Sequence, residues 1–90
     1  HYYDRVDVHI PQGKRGAIET HLASTVADRI AGEKVTRRDT TDGFRFFLGD
    51  ESWLLIRFSG TEPLVRIYAE AGSPGKVARL LEEGRRVTGL

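Results

Sequence analysis

The sequence predicts an α+β domain: a two-layer sandwich in which a mainly antiparallel sheet of about five strands carries two helices on one face. Three observations predict it. Two apolar stretches, 53–58 and 64–71, flank a short polar loop containing one Gly and one Pro. Two further turn signals, Asp42-Gly43 and Gly49-Asp50-Glu51, divide residues 34–58 into hairpins. Two segments carry the apolar spacing of an amphipathic helix, Ile18-Leu22-Val26-Ile30 and Val77-Leu80-Leu81. The resulting order is strand, helix, four strands, helix.

Along the chain, Val6, Val8 and Ile10 alternate with Arg5, Asp7 and His9, giving a half-buried strand that Pro11-Gln12-Gly13 ends. His9 falls on the polar side and is expected in solvent. A helix is predicted over 14–31, with Gly32 as its stop. The run Gly13-Lys14-Arg15-Gly16 lacks the spacing and the Lys-Ser/Thr ending of a P-loop. His21 has no partner in metal-motif spacing. Residues 34–41 read as a polar strand near a sheet edge, because only Val35 is clearly apolar. Phe44, Phe46 and Leu48 mark the next strand. The loop after it places Leu48 opposite Ser52 and Phe46 opposite Leu54. A strict two-residue turn at Asp42-Gly43 would put Arg37 and Asp39 on the phenylalanine side, so a bulge or a longer loop is expected there. Ser73 caps the last helix and Pro74 suits its first position. Val77, Leu80 and Leu81, with Gly84 or Val87, form its buried side, and Glu82 is expected to pair with Arg86.

Ninety residues make one domain, 1–90. The chain has no Met and begins His1-Tyr2-Tyr3, so it reads as a domain excised from a longer protein. It has no Cys, which excludes a disulfide framework and a thiolate metal site and fits a reducing, cytoplasmic setting. There is no apolar run of signal-peptide or membrane-span length. Net charge is +1 with both signs interspersed, which gives no electrostatic case for nucleic acid or membrane.

The chemistry gathers in Arg57-Phe58-Ser59-Gly60-Thr61-Glu62-Pro63-Leu64-Val65-Arg66. If Phe58 pairs with Val65, then Ile56 faces Ile67 and Leu54 faces Ala69 on one side. Arg57 lies opposite Arg66 on the other, beside Trp53, Leu55 and Tyr68. Like charges directly opposite each other are unfavourable; an anion between them removes that cost. Arginine matches phosphate or carboxylate with a planar fork, and successive loop N–H groups form an anion-binding concavity. Gly60 permits unusual backbone angles and Pro63 fixes its own φ. The expected anion contacts are Arg57, Ser59, Gly60, Thr61 and Arg66, with free N–H groups near Gly60, and with Glu62 and Pro63 shaping the loop. Glu62 is expected to turn away from the anion and brace the loop through Arg66.

Arg-x-Ser-Gly-Thr-Glu-Pro (57–63) followed by Arg66-x-Tyr68-x-Glu70 resembles the phosphate-binding loop of the α-D-phosphohexomutases. Those enzymes include the phosphoglucomutases, phosphomannomutases and phosphoglucosamine mutases. The resemblance implies the fourth, C-terminal domain of such an enzyme. It further implies partners in three preceding domains, which hold the phosphorylated serine, the magnesium and the sugar-reading loop, and a phosphosugar bound through its non-reacting phosphate. Phe58 departs from the small residue often found at its position in that family, and the register makes it a core residue. The continuation Arg66-Ile67-Tyr68-Ala69-Glu70 looks more like the glucose and mannose enzymes than the glucosamine ones. Within this chain no nucleophile has an adjacent base and no carboxylate cluster suits magnesium, so no catalytic or metal residue is assigned. Two other classes compete. Gly43-Phe44-Arg45-Phe46-Phe47 faintly resembles the aromatic strand of an RNA-binding RRM, but the element order differs and the register buries Phe44 and Phe46. The other is a structural or protein-interaction module whose loop binds nothing.

Overall fold

The computed structural model describes residues 1–24 and 29–89. It contains β1 (Tyr2–His9), α1 (Arg15–Ser24), β2 (Arg29–Ile30), β3 (Glu33–Asp39), β4 (Phe44–Leu48), β5 (Trp53–Phe58), β6 (Leu64–Ala71) and α2 (Pro74–Thr88). The strands form one antiparallel sheet in the order β1-β6-β5-β4-β3-β2. Both helices contribute to the buried cluster on one of its faces. Ile18 and Leu22 of α1, and Val77 and Leu80 of α2, join Phe46, Leu54, Ile56, Val65, Ile67 and Ala69 there. This is the predicted α+β two-layer arrangement, with six strands in place of five.

The extra strand comes from the segment expected to finish the first helix. Arg29 and Ile30 pair with Lys34 and Glu33 instead of continuing a helix over 14–31. Ala31 and Gly32 between them both have positive φ, 51° and 80°, the backbone of a tight hairpin turn. Gly32 therefore turns a hairpin and does not stop a helix. Ile30 is buried in either arrangement, so apolar spacing alone does not separate them. Val26 and Ala27 of the predicted apolar stripe lie outside the described residues.

The central registers follow the predicted pairings. Phe46 faces Leu54 and Phe44 faces Ile56 across β4–β5, and the Leu48 N–H donates to the Ser52 carbonyl. The irregularity expected in the Asp42-Gly43 hairpin lies between Val35 and Arg37, where the register shifts. Beyond it Arg38 pairs with Phe46 and Asp39 with Arg45, which sends Arg37 and Asp39 to the side away from Phe44 and Phe46, where Arg37 lies over the Phe47 ring. Gly43 is required at this corner. Its φ is 136°, and a Cβ would meet the Ile56 carbonyl oxygen at 2.6 Å.

α2 follows from capping and patterning together. The Ser73 oxygen accepts from the Lys76 N–H, Pro74 occupies the first turn, and Gly89 ends the helix in a left-handed conformation. Its inward face closes on β5 and β6 only because residue 84 has no side chain. A Cβ at Gly84 would lie 2.5 Å from Ile67 Cγ2. On the outer face Arg86 pairs with Glu83, three residues back, and not with Glu82 as the spacing suggested. Lys76, near the helix start, bridges Glu33 and Asp50 and so pins α2 to the β2–β3 and β4–β5 turns. Among the described residues, no helix is long and apolar enough to cross a membrane.

Candidate anion site

The β5–β6 hairpin places the two arginines. Phe58 pairs with Val65, Arg57 with Arg66, Ile56 with Ile67 and Leu54 with Ala69. Side chains alternate across a strand, so Arg57 and Arg66 leave the sheet on the face opposite the helices. Leu55 and Tyr68 pair on that same open face, and Trp53 lies one step further along. Tyr3 of β1, 57% exposed, joins Trp53 and Tyr68 with ring centroids 6.1 and 6.3 Å apart.

Backbone hydrogen bonds close the connecting loop tightly. The Ser59 N–H donates to the Leu64 carbonyl at 3.0 Å, and the Leu64 N–H donates to the Glu62 carbonyl at 2.8 Å. The second bond makes a three-residue turn centred on Pro63, whose fixed φ suits it. The Pro63 carbonyl in turn accepts from the Ile10 N–H at 2.7 Å, tying the loop to the end of β1.

Ser59 does more inside the loop than the sequence suggests. It is only 9% exposed, and its Oγ accepts from the N–H groups of Thr61 (3.4 Å) and Glu62 (3.1 Å). Two of the expected free amides are thus turned inward, while the Ser59 O–H keeps its own proton to donate. Among the described residues the Gly60 N–H has no partner. Gly60 does not have positive φ, contrary to the expected need for unusual angles. A Cβ there would meet nothing within 4 Å, so the glycine leaves open space beside the amide.

The two arginines differ. The Arg57 side chain is exposed and makes no ion pair or hydrogen bond among the described residues. Arg66 is half-buried, meets Glu62 at 3.8 Å, and has a buried Nε with no hydrogen-bond partner. Glu62 and Arg66 thus stand next to each other, as the sequence suggested. Arg57, Phe58, Ser59, Gly60, Thr61 and Arg66 line a cleft of about 230 Å³. A water occupies about 30 Å³ in the liquid, so a tetrahedral oxyanion has ample room. Of two other clefts, the one between Ile18 and Thr88 has no arginine in its lining, and the one beside Leu22 and Phe46 sets the Asp39 carboxylate next to Arg38 and Arg45.

One contributor escaped the sequence reading. Arg15, in the first turn of α1, donates from Nη1 to the Ser59 carbonyl at 2.8 Å. Its guanidinium lies 5.3 Å from the Phe58 ring centroid, and its Nε donates to Glu19 at 2.9 Å. Phe58 is half-buried under this arginine, less enclosed than a full core position. The contact spans 44 residues, so no local pattern announces it.

This geometry stands beside a direct comparison with known proteins. The family model described as "Phosphoglucomutase/phosphomannomutase, C-terminal domain" matches residues 12–87. The chain belongs to this family. It is 41% identical over 73 residues to a phosphoglucomutase/phosphomannomutase of Thermococcus kodakarensis, covering 81% of the chain and 15% of that protein. It is 34% identical over 82 residues to a phosphopentomutase of the same organism, covering 91% of the chain and 18% of the relative. It is 37% identical over 82 residues to a probable phosphoglucosamine mutase of Methanothermobacter thermautotrophicus, with the same two coverages. The chain therefore spans less than one fifth of the length of these relatives.

Proposed function

We propose that this domain holds the phosphate of a phosphosugar within a phosphohexomutase, an enzyme that interconverts hexose 1-phosphate and hexose 6-phosphate by phosphoryl transfer. The observation that carries the reading is the cross-strand pair Arg57–Arg66 at the mouth of a loop that presents Ser59, Gly60 and Thr61 to one cleft. Like charges on directly opposite residues repel when no counter-ion lies between them. A phosphate dianion removes that repulsion and accepts from Arg57, the Gly60 N–H and the hydroxyls together.

The domain's part in the reaction is positioning and charge neutralisation, with no bond made or broken by its own side chains. Arg57 supplies a planar fork to the phosphate, and Arg66, braced by Glu62, supplies the second positive charge. The phosphate held here is the one that is not reacting. Transfer belongs to other domains of a longer cytoplasmic enzyme, and this chain alone is inactive as a mutase. Among the described residues no three His, Cys, Asp or Glu side chains gather to hold a metal ion; in this reading the magnesium of the parent enzyme sits on another of its domains. The relatives named above differ in the sugar they are named for, and the 66–70 continuation supports glucose or mannose.

The test is a calorimetric titration of the chain with glucose 6-phosphate. Binding is expected at about millimolar Kd, since one charge-assisted contact and a few neutral ones leave roughly 4 kcal/mol after immobilisation. Arg57→Lys keeps the charge but loses the fork, and should weaken binding about fivefold with an unchanged melting temperature. Equal affinity in the two proteins would remove Arg57 from the site.

A further inference from the structure

We propose that Arg15 is a positioning residue for the anion cleft: by holding the Ser59 carbonyl it aims the Gly60 N–H at the bound anion. The inference rests on the 57–66 loop being the anion site. The Arg15 Nη1 donates to the Ser59 oxygen at 2.8 Å, from the helix side of the sheet. No peptide bond in the chain is cis. In a planar trans peptide the C=O of one residue and the N–H of the next point in opposite directions. A Ser59 carbonyl fixed toward Arg15 therefore turns the Gly60 N–H away from α1, toward the side where Arg57 and Arg66 stand. That amide is the one the loop leaves without a partner, while Thr61 and Glu62 give theirs to Ser59 Oγ.

Arg15 is built to hold this position. Its Nε donates to Glu19 at 2.9 Å and its guanidinium carbon lies 5.3 Å from the Phe58 ring centroid. One planar group thus makes three contacts at once, which a lysine ammonium on its flexible stem cannot reproduce. A charged donor on the carbonyl also polarises the Ser59–Gly60 amide and makes its N–H a better donor. Arg15 acts through the peptide and does not itself touch the anion.

The test compares wild type, Arg15→Ala and Arg15→Lys by amide NMR, first without phosphate and then during titration with inorganic phosphate. Melting curves and the core amides of Leu54 and Ile67 report whether each variant keeps its fold. Without phosphate, Arg15→Ala should move the Gly60 amide more than those of Thr61 and Glu62. During titration, Arg15→Ala should raise the phosphate Kd about three- to tenfold, and Arg15→Lys should recover part of the loss. A Gly60 amide that stays in place in folded Arg15→Ala, or an unchanged phosphate Kd, overturns the proposal. If Arg15→Ala does not fold, Arg15→Gln is read in the same way. A wild-type loop that ignores phosphate refutes the anion site, and the anion role of Arg15 falls with it. The spectra without phosphate still decide whether Arg15 sets the peptide plane.

Discussion

On the helix side of the β5–β6 hairpin, Leu54 faces Ala69 and Ile56 faces Ile67, all sealed from solvent. One residue further along the same two strands, on the other side, Arg57 faces Arg66 across an open cleft. The first face stabilises the fold: burying each large aliphatic chain contributes about 1.5–3 kcal/mol. The second works against the fold, since like charges directly opposite cost up to about 1 kcal/mol. The backbone that aligns the apolar pairs aligns the arginines too. The helix-side packing can therefore hold in place a charge arrangement that would not be stable alone, and an anion is the natural means of relieving it.

The largest expected effect separates the two faces. Leu54→Ala should cost about 2–5 kcal/mol of stability by chemical denaturation, because it opens a cavity in the densest part of the core. The phosphate affinity of the protein that remains folded should change less than twofold. A loss of affinity matching the loss of stability would mean that the faces are not separable. A change at the corner should instead affect both. Gly43→Ala drives a Cβ into the Ile56 carbonyl and toward Arg57 Cα, 3.2 Å away, at a φ that a Cβ disfavours. It is expected to cost about 1–3 kcal/mol and to weaken phosphate binding as well. Full affinity in a destabilised Gly43→Ala protein would show that Arg57 is placed independently of this corner.

The smallest effect concerns charge used only for structure. Hydrogen bonds from Lys76, and then from Ser52, hold the Asp50 carboxyl well below the usual carboxylate range. Burial pulls the Lys76 ammonium down, but its hydrogen bonds to Asp50 and Glu33 outweigh this, so its pKa is raised. A depressed carboxylate contributes stability that is complete above about pH 4 and is lost as pH falls through its folded value. A raised ammonium contributes fully below its ordinary value and loses that contribution as pH rises through its folded one. Thermal stability should therefore be level across neutral pH and fall in acid. Asp50→Asn should flatten the acid limb by a modest amount, because the Asp50 side chain is 47% exposed and solvent screens its pairing. An unchanged acid limb in that variant would remove the triad from the acid response.

Much of this was legible in the sequence, and the failures have physical causes. The hairpin registers could be read because alternating apolar residues and loop length allow one pairing that keeps Phe46, Leu54, Ile56 and Ile67 together. The Arg57–Arg66 pair followed from that register. β2 was missed because Ile30 continues a four-residue apolar repeat from Ile18, and Gly32 suits a helix stop as well as a hairpin turn. Arg86 chose Glu83 over Glu82, two adjacent carboxylates that spacing alone does not rank. Ser59 could be named as a loop hydroxyl, but nothing in its neighbours told which amides its oxygen would accept. Arg15 was invisible as a loop contact because tertiary packing brings it to Ser59. Its run of Gly13-Lys14-Arg15-Gly16 lacks the spacing of a P-loop, so nothing local marks Arg15 as a contact of the 57–66 loop.

The most direct test of the central claim is a map of backbone amide shifts in the wild-type chain during titration with inorganic phosphate. The amides of residues 57–66, led by Gly60, should move together and approach saturation at roughly tens of millimolar phosphate. Those of Leu54, Ile67 and Leu80 should stay in place. Loop amides that remain still at those concentrations, while others shift, would contradict the assignment of this loop as the anion site.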